Sequence, residues 1–432
     1  MTATHPERTR GAGAVSDRAI LRHAAGSGRW ATVGLSRRIL LAAGRRAGGP
    51  AIEVTEGGET FRLGRGEPTA QVTVHDRRAY DALLRSGSVG LGTSYVSGWW
   101  DADDLTALVR ALARHTRPLR ERLDRLGRAS GAVLDVPARR ATPGRDDDKR
   151  NIADHYDLSN DFFALMLDET MAYSCAVFDR PGATLAEAQE AKIERLCRKL
   201  ELVPTDHLVE IGSGWGGLAV HAATRYGCRV TTTTISDAQH RYVEERVAAA
   251  GLADRITVLG LDWRDLTGTF DKLVSVEMVE AVDWRSHDRF LATCADLVAD
   301  DGLAAIQAIV IDDRSFARAK RHRDFVRRMV FPGGCLPSVA SLTASLVRAT
   351  DLHIVDLEDI GRHYPETLRR WAANLDGHAD SLAALGVGGD FRRLWDLYLA
   401  YCEASFLEGH ISDVQLVLAR SGRAGRPAAR PG

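Results

Sequence analysis

The 432-residue chain has no run of about eighteen apolar residues, the length a helix needs to cross a bilayer, so no membrane span is expected. Its first residues are polar and arginine-rich, without the apolar stretch and cleavage site of a secretory signal. The six cysteines are scattered and never form a C-x-x-C pair. That spacing argues against structural zinc and for a reducing compartment, and no metal site is expected. A net charge of -1 gives no general attraction to nucleic acid. Internal repeats are absent, and low-complexity sequence is confined to the Arg/Pro/Gly/Ala tail after Ser421.

What is present is enough apolar sequence, 45%, for sizeable cores, in a chain long enough for two domains. Residues 1–45 are glycine- and arginine-rich and expected to be poorly ordered, apart from a short helix near Ser36 to Arg45. Residues 46–135 read as a small α/β domain. It has short strands at Phe61–Leu63 and Ala70–Val74 and helices at Arg77–Arg85, Leu105–Ala113 and Arg114–Arg128. A charged linker over residues 136–150 leads to a larger domain, 151–420, and residues 421–432 are expected to be disordered. Thr184-Leu185-Ala186-Glu187 is a capping-box pattern. It opens a helix in which Ile193, Leu196, Cys197 and Leu200 repeat at core spacing.

The most informative stretch runs from Leu208 to Ala219, Leu-Val-Glu-Ile-Gly-Ser-Gly-Trp-Gly-Gly-Leu-Ala. It reads as a buried strand closed by an acid, a glycine-rich turn and the start of a helix. Glycines at such a junction let backbone approach a cofactor closely, because no Cβ intrudes. The turn matches G-x-G-x-x-G, so its spacing alone admits a dinucleotide. A β-branched strand, Cys228 to Ile235, follows, but no acid stands at its end to bind a ribose. It passes instead into Ser236-Asp237-Ala238-Gln239 and a helix ending near Gly251. A third strand, Ile256 to Leu261, ends in Asp262-Trp263. A fourth, Phe270 to Val276, ends in Glu277-Met278-Val279-Glu280. Alternating strands and helices imply a parallel sheet with ligands at the carboxyl ends of its strands.

The glycine turn resembles motif I of S-adenosylmethionine (SAM) methyltransferases. Further stretches resemble the cyclopropane-fatty-acyl-phospholipid synthase family, which includes the mycolic acid methyltransferases. They are His155 to Phe163, Tyr173-Ser174-Cys175-Ala176, Phe331 to Ser338, Tyr364-x-x-Thr367-Leu368-x-x-Trp371 and Phe406 to Gln415. Upstream, Leu91 to Asp101 is similar to the small N-terminal domain of full-length synthases. The resemblance implies an α/β fold, a Rossmann-like class I SAM methyltransferase with a small N-terminal α/β domain.

It also implies a chemistry: a cis double bond attacks the sulfonium methyl in a dry pocket, and the resulting carbocation loses a proton to a base. In the family that base is a bound bicarbonate. Carried over by position, Cys175, Glu280, Ile309 and Tyr364 would surround it. Gln307 stands where the family has histidine, and Ala281 where it has another. Glutamine can donate a hydrogen bond but cannot shuttle a proton. On the cofactor side, Tyr173 and Ser174 match residues that reach the methionine end. Gly212, Gly214 and Gly216 bring backbone close, Thr234, Ile235 and Gln239 surround the ribose and adenine, and Asp262 and Trp263 meet the adenine edge.

The lost histidine favours a methylene-branched product over a cyclopropane, with a small-molecule methyltransferase as a more distant alternative. The implied partners are an unsaturated phospholipid acyl chain at the membrane surface, a flavin-dependent reductase acting afterwards, and a second copy in a homodimer. A cytoplasmic location, peripheral on the inner membrane face, follows. Arg314 to Phe331 fits that picture. It interleaves Arg314, Arg318, Lys320, Arg321, Arg323, Arg327 and Arg328 with Phe316, Phe325, Val326, Met329, Val330 and Phe331, as in a basic amphipathic helix on anionic lipid.

Overall fold

The computed structural model describes residues 31–116 and 159–422. The helix expected at Arg114–Arg128 beyond residue 116, the linker at 136–150 and the His155-Tyr156-Asp157-Leu158 segment lie outside the described residues.

Helix α1 (Ala31–Arg46) precedes β1 (Pro50–Glu56), β2 (Glu59–Leu63) and β3 (Arg65–Val74). Then come α2 (Arg78–Val96), β4 (Trp100–Ala102) and a helix over residues 105–116, here α3. The strands form one sheet in the order β2-β1-β3-β4. Two details differ from the sequence reading. α1 belongs to this domain rather than to a disordered leader, because Leu41 is buried, Ser36 bonds Asp81 at 2.9 Å and Arg37 bonds the buried Glu56 at 2.6 Å. α2 also runs eleven residues past Arg85, through a break at Gly87, whose φ of 54° and ψ of -128° leave the helical region.

The larger domain begins in the described residues with α4 (Asn160–Met166) and α5 (Leu185–Lys199). β5 (His207–Ile211), α6 (Gly217–Tyr226), β6 (Arg229–Thr233), α7 (Asp237–Ala249), β7 (Ile256–Leu259) and β8 (Phe270–Val276) follow. After α8 (His287–Leu297) comes the long β9 (Val298–Ile311), then α9 (Asp313–Ala319), α10 (Phe325–Met329) and α11 (Val339–Ala349). The chain closes with β10 (Leu352–Asp359), α12 (Tyr364–Gly377), α13 (Ala379–Ala384), α14 (Gly389–Leu407) and β11 (Ile411–Arg420). The expected capping box is formed, with the Thr184 and Glu187 side chains bonding each other's backbone N–H.

The seven strands lie in the order β10-β11-β9-β8-β5-β6-β7. β5 pairs in parallel with both β6 and β8, so the chain winds outward one way through β6 and β7 and then returns to the other side. That reversal opens a crevice at the carboxyl ends of β5 and β8, where such sheets bind ligands. β11 runs antiparallel between β9 and β10.

The two domains share a core. One apolar cluster runs from Ile52 and Val96 through Phe325 to Trp371 and Trp395. Around it, Arg393 donates to the Tyr95 and Trp100 carbonyls, its guanidinium sits 3.9 Å from the Tyr95 ring centre, and Arg110 and Arg114 both pair with Glu408.

Candidate active site

A cavity of about 1200 Å³ opens at the carboxyl ends of β5, β6 and β8. Drug-sized ligands fill pockets of roughly 300–1,000 Å³, so this volume suits a cofactor together with a second molecule. Its wall includes Tyr173, Ser174, Gly212, Gly214, Thr234, Ile235, Gln239, Asp262 and Trp263. Of the residues expected on the cofactor side, Gly216 is the exception. It starts α6 in the left-handed conformation at φ 81°, and a Cβ there would lie 3.0 Å from Val243, inside the fold. Gly214 contrasts with it: at φ 48°, a Cβ would meet no protein atom within 4 Å and would enter the cavity. That open cradle fits a SAM molecule laid against backbone.

The polar groups nearby are held in place. Gln239 accepts from Thr234 Oγ1 at 2.9 Å. Asp262 receives three bonds from Arg264, which fix its carboxylate at the cavity wall. Trp263 is fixed edge-on against Phe290, with centroids 5.2 Å apart. Glu210, the acid that closes β5, is buried, accepts from Thr232 Oγ1 at 2.6 Å, and has its pKa pushed by burial up to about 8.

On the other side lies a nest of acids whose organiser is Glu277. Glu277 Oε1 accepts the Cys175 backbone N–H at 2.8 Å and one amide hydrogen of Gln307 at 2.9 Å. Its Oε2 accepts the Tyr364 hydroxyl at 2.7 Å. The residue stands immediately after β8 with φ at +50°, a left-handed conformation that costs a non-glycine residue roughly 1–3 kcal/mol and persists only where its surroundings enforce it. The three hydrogen bonds, and the Glu277 N–H bonded to Gln307 O, enforce it here.

This arrangement corrects the expected anion site. Gln307 is fully buried and does not line the cavity. Its second amide hydrogen goes to Asp413 at 2.9 Å, and its oxygen accepts from Gln415. Cys175 does not line it either; its thiol points to backbone carbonyls, and burial pushes its pKa well up. Ile309 N–H donates to Glu280 Oε1. The donors assigned to a bicarbonate by position are thus taken by protein carboxylates, and the residues present do not fit that anion.

Glu280 does line the cavity, and its Oε2 is buried without a partner. Burial, then the charge of Glu277, pushes its pKa well up, and burial does the same for Asp413. Lys192, also buried and on the cavity wall, donates to Ser174 Oγ at 2.5 Å; burial pulls its pKa down, while Glu277, Cys175 and Asp413 act the other way. Sequence reasoning missed Lys192 and Asp413 and placed the chief acid at Glu280. The only signal for Glu277 was its place at the end of β8.

Aromatic faces complete the wall: Tyr173, Phe331, Tyr364, Tyr398 and Phe406, with Tyr364 stacked on Phe406 at 4.3 Å. Arg314 to Phe331 is not one surface helix. α9 and α10 are separate short helices, and Phe325 is fully buried against Tyr401 and Gly92. Arg314, Arg318, Arg323 and Arg327 face the cavity, and so do Arg85 to Ser88 at the break in α2. Among the described residues no helix is long and apolar enough to cross a membrane.

A seven-stranded sheet in this order, with glycine backbone at its switch point, defines the class I SAM-dependent methyltransferase fold. Solved structures agree. The cyclopropane synthase MmaA2 from Mycobacterium tuberculosis superposes with a TM-score of 0.59 at 27% identity, over 66% of this chain and all of that one. The mycolic acid cyclopropane synthase CmaA1, solved with SAH and CTAB, gives 0.58 at 30% identity, over 62% and 97%. The family profile described as Mycolic acid cyclopropane synthetase matches residues 144–416, and the chain belongs to that family. Full-length relatives extend the match into the N-terminal domain. The tuberculostearic acid methyltransferase UfaA1 of M. tuberculosis is 40% identical over 79% of this chain and 82% of its own length. The cyclopropane-fatty-acyl-phospholipid synthase of Escherichia coli K12 is 31% identical over 84% and 92%. The protein is accordingly a SAM-dependent enzyme that methylates or cyclopropanates unsaturated fatty acyl chains.

Proposed function

We propose that the protein methylates the cis double bond of a phospholipid acyl chain and yields a methylene branch rather than a cyclopropane. The observation that carries this reading is the full commitment of Gln307. Where the resemblance expects an ionisable histidine, its amide bonds the carboxyl groups of Glu277 and Asp413 and moves no proton. One relative is also named a tuberculostearic acid methyltransferase and another a probable fatty acid methyltransferase, rather than cyclopropane synthases.

SAM, when bound, supplies an electrophilic sulfonium methyl. Gly212, Gly214, Gln239, Asp262 and Trp263 would hold it, with Tyr173 and Ser174 at its methionine end. The aromatic wall of Tyr173, Tyr364, Tyr398 and Phe406 excludes water and presents π faces that stabilise positive charge on the acyl chain. If no group removes a proton at once, a hydride shift carries the charge to the methyl-bearing carbon. Proton loss from the new methyl then leaves a methylene. The arginines facing the cavity, Arg85 and Arg314 among them, suit a phosphate headgroup at its mouth. An exocyclic alkene is in turn a substrate for a flavin-dependent reductase.

The test is incubation with SAM and a mono-unsaturated phospholipid, followed by mass spectrometry of the fatty acid methyl esters. Deuterium on the vinylic carbon that receives the methyl should migrate to its neighbour. Cyclopropane product with the label unmoved would refute the methylene reading.

A further inference from the structure

Every route to a methylated acyl chain ends with a proton leaving a cation, and that proton needs an acceptor. Bicarbonate does not fit, because its expected donors bond to Glu277 and Glu280. We propose that the carboxylate of Glu277 is itself the base, a resident side chain in the role the resemblance gives to a bound anion. The inference rests on the acyl-methylation reading above.

Three observations converge on Glu277. It lines the cavity, and its Oε2 is held by Tyr364, another residue of the wall. Its partners match a base: the Cys175 backbone N–H and the Gln307 amide N–H can only donate, so Oε1 must accept twice. The Tyr364 hydroxyl donates to Oε2, and Asp413 hydrogen-bonds to the same side chain. Its neighbours are poor rivals. Glu280 and Asp413 are driven toward their neutral forms by burial and by the charge on Glu277 itself. Cys175 is buried as a thiol away from the cavity.

The electron count closes without a co-reactant. The alkene π pair forms the new C–C bond, and the S–CH3 pair returns to sulfur. After the hydride shift, a C–H bond of the new methyl breaks. Its electron pair becomes the methylene double bond, and its proton passes to Glu277, which later releases it to solvent. A small diffusible anion can settle against whichever carbon holds the proton. A side chain pinned by these hydrogen bonds cannot, which fixes where the proton leaves and gives the shift time to occur.

The test compares the full-length wild type with Glu277→Gln and Glu277→Gly, in carbon-dioxide-free buffer and with added bicarbonate. The wild type should turn over at the same rate in both. Glu277→Gln should lose roughly a hundred-fold or more in kcat, the usual worth of a positioned base, while calorimetry shows near-wild-type SAM affinity. Glu277→Gly opens the nest and should be inactive alone but rescued as bicarbonate or formate is titrated in, a response a merely structural role would not give. A wild type that needs bicarbonate, or a Glu277→Gln enzyme within ten-fold of wild type, overturns the assignment and leaves acyl methylation standing. A wild type that binds SAM but transfers no methyl to the lipid removes both readings together.

Discussion

The two halves of the cavity are built by opposite means. Apart from Tyr173 and Ser174, the side expected to hold the cofactor comes from one stretch of chain, β5 to the turn after β7, and uses much backbone: glycines at positive φ, a helix start and strand ends. The proton side is assembled from five segments, carrying Cys175, Glu277, Gln307, Tyr364 and Asp413, and consists almost wholly of buried side chains bonded to one another. Backbone recognition asks for room and tolerates variation in the residues around it. A buried acid nest asks for every donor to find its acceptor, because an unsatisfied buried group costs about 1–3 kcal/mol. The first half can therefore absorb substitutions in its surroundings that the second cannot.

The largest expected effect breaks the cofactor side alone. Gly214→Val places a branched side chain in the space where a Cβ now meets nothing. Titration calorimetry should detect no SAM binding. The left-handed φ of 48° adds strain of roughly 1–2 kcal/mol, within the margin of a typical domain, so circular dichroism should stay native. Wild-type affinity in this variant would put the cofactor elsewhere.

The second variant disturbs only the wall shared by the two domains. A Cβ on Gly92 would stand 2.2 Å from the Phe325 ring, and residues next to Phe325 face the cavity. Gly92→Ala should destabilise by about 1–3 kcal/mol, as overpacking does. It should raise KM for lipid while leaving SAM affinity unchanged. An unaltered lipid KM would mean that the N-terminal domain does not shape the acyl half.

A subtler change retunes the proton side. A neutral imidazole has one N–H where the Gln307 amide offers two, so Gln307→His must release either Glu277 or Asp413. A loosened Glu277 should let some ring closure compete, visible as a cyclopropane fraction by gas chromatography and mass spectrometry. Product unchanged in kind would show that this contact does not set the outcome.

The same contrast decides what could be read from sequence. Motif I, the strand ends at Asp262 and Glu277, and the Thr184 capping box all depend on neighbours within a few residues, and the structure forms them where expected. The acid nest depends on strand register. Gln307 faces Gln415 and Ile309 faces Asp413 only because β11 lies antiparallel beside β9, and Gln307 adjoins Val276 across the β8–β9 pair. No local pattern carries that information. Position by position, the resemblance gave these donors to a bound anion, whereas in the structure they bond to Glu277 and Glu280. The basic stretch from Arg314 failed for a related reason. Its apolar residues suit an amphipathic helix, yet Phe325 is drawn into the interdomain core and the helix breaks before it.

The smallest effect concerns the acid that the cofactor side does contain. Glu210 is buried beneath the glycine turn; burial raises its pKa from an ordinary 4.5 to about 8, against the opposing effects of the Thr232 bond and Lys192. Because the folded value lies above the unfolded one, the folded state binds the extra proton between them. Its contribution to stability is full below pH 4.5 and is lost as pH rises through about 8. Glu280 and Asp413, also shifted upward, push in the same direction. The melting temperature should therefore fall as pH is raised from 5 to 8. Glu210→Gln, which keeps an acceptor for Thr232 but cannot ionise, should flatten that slope by up to one proton, about 1.4 kcal/mol per pH unit. Differential scanning calorimetry across that range reads the difference directly. An identical slope in the variant would mean that Glu210 is already ionised in the folded enzyme, and that Lys192 outweighs burial at the end of β5.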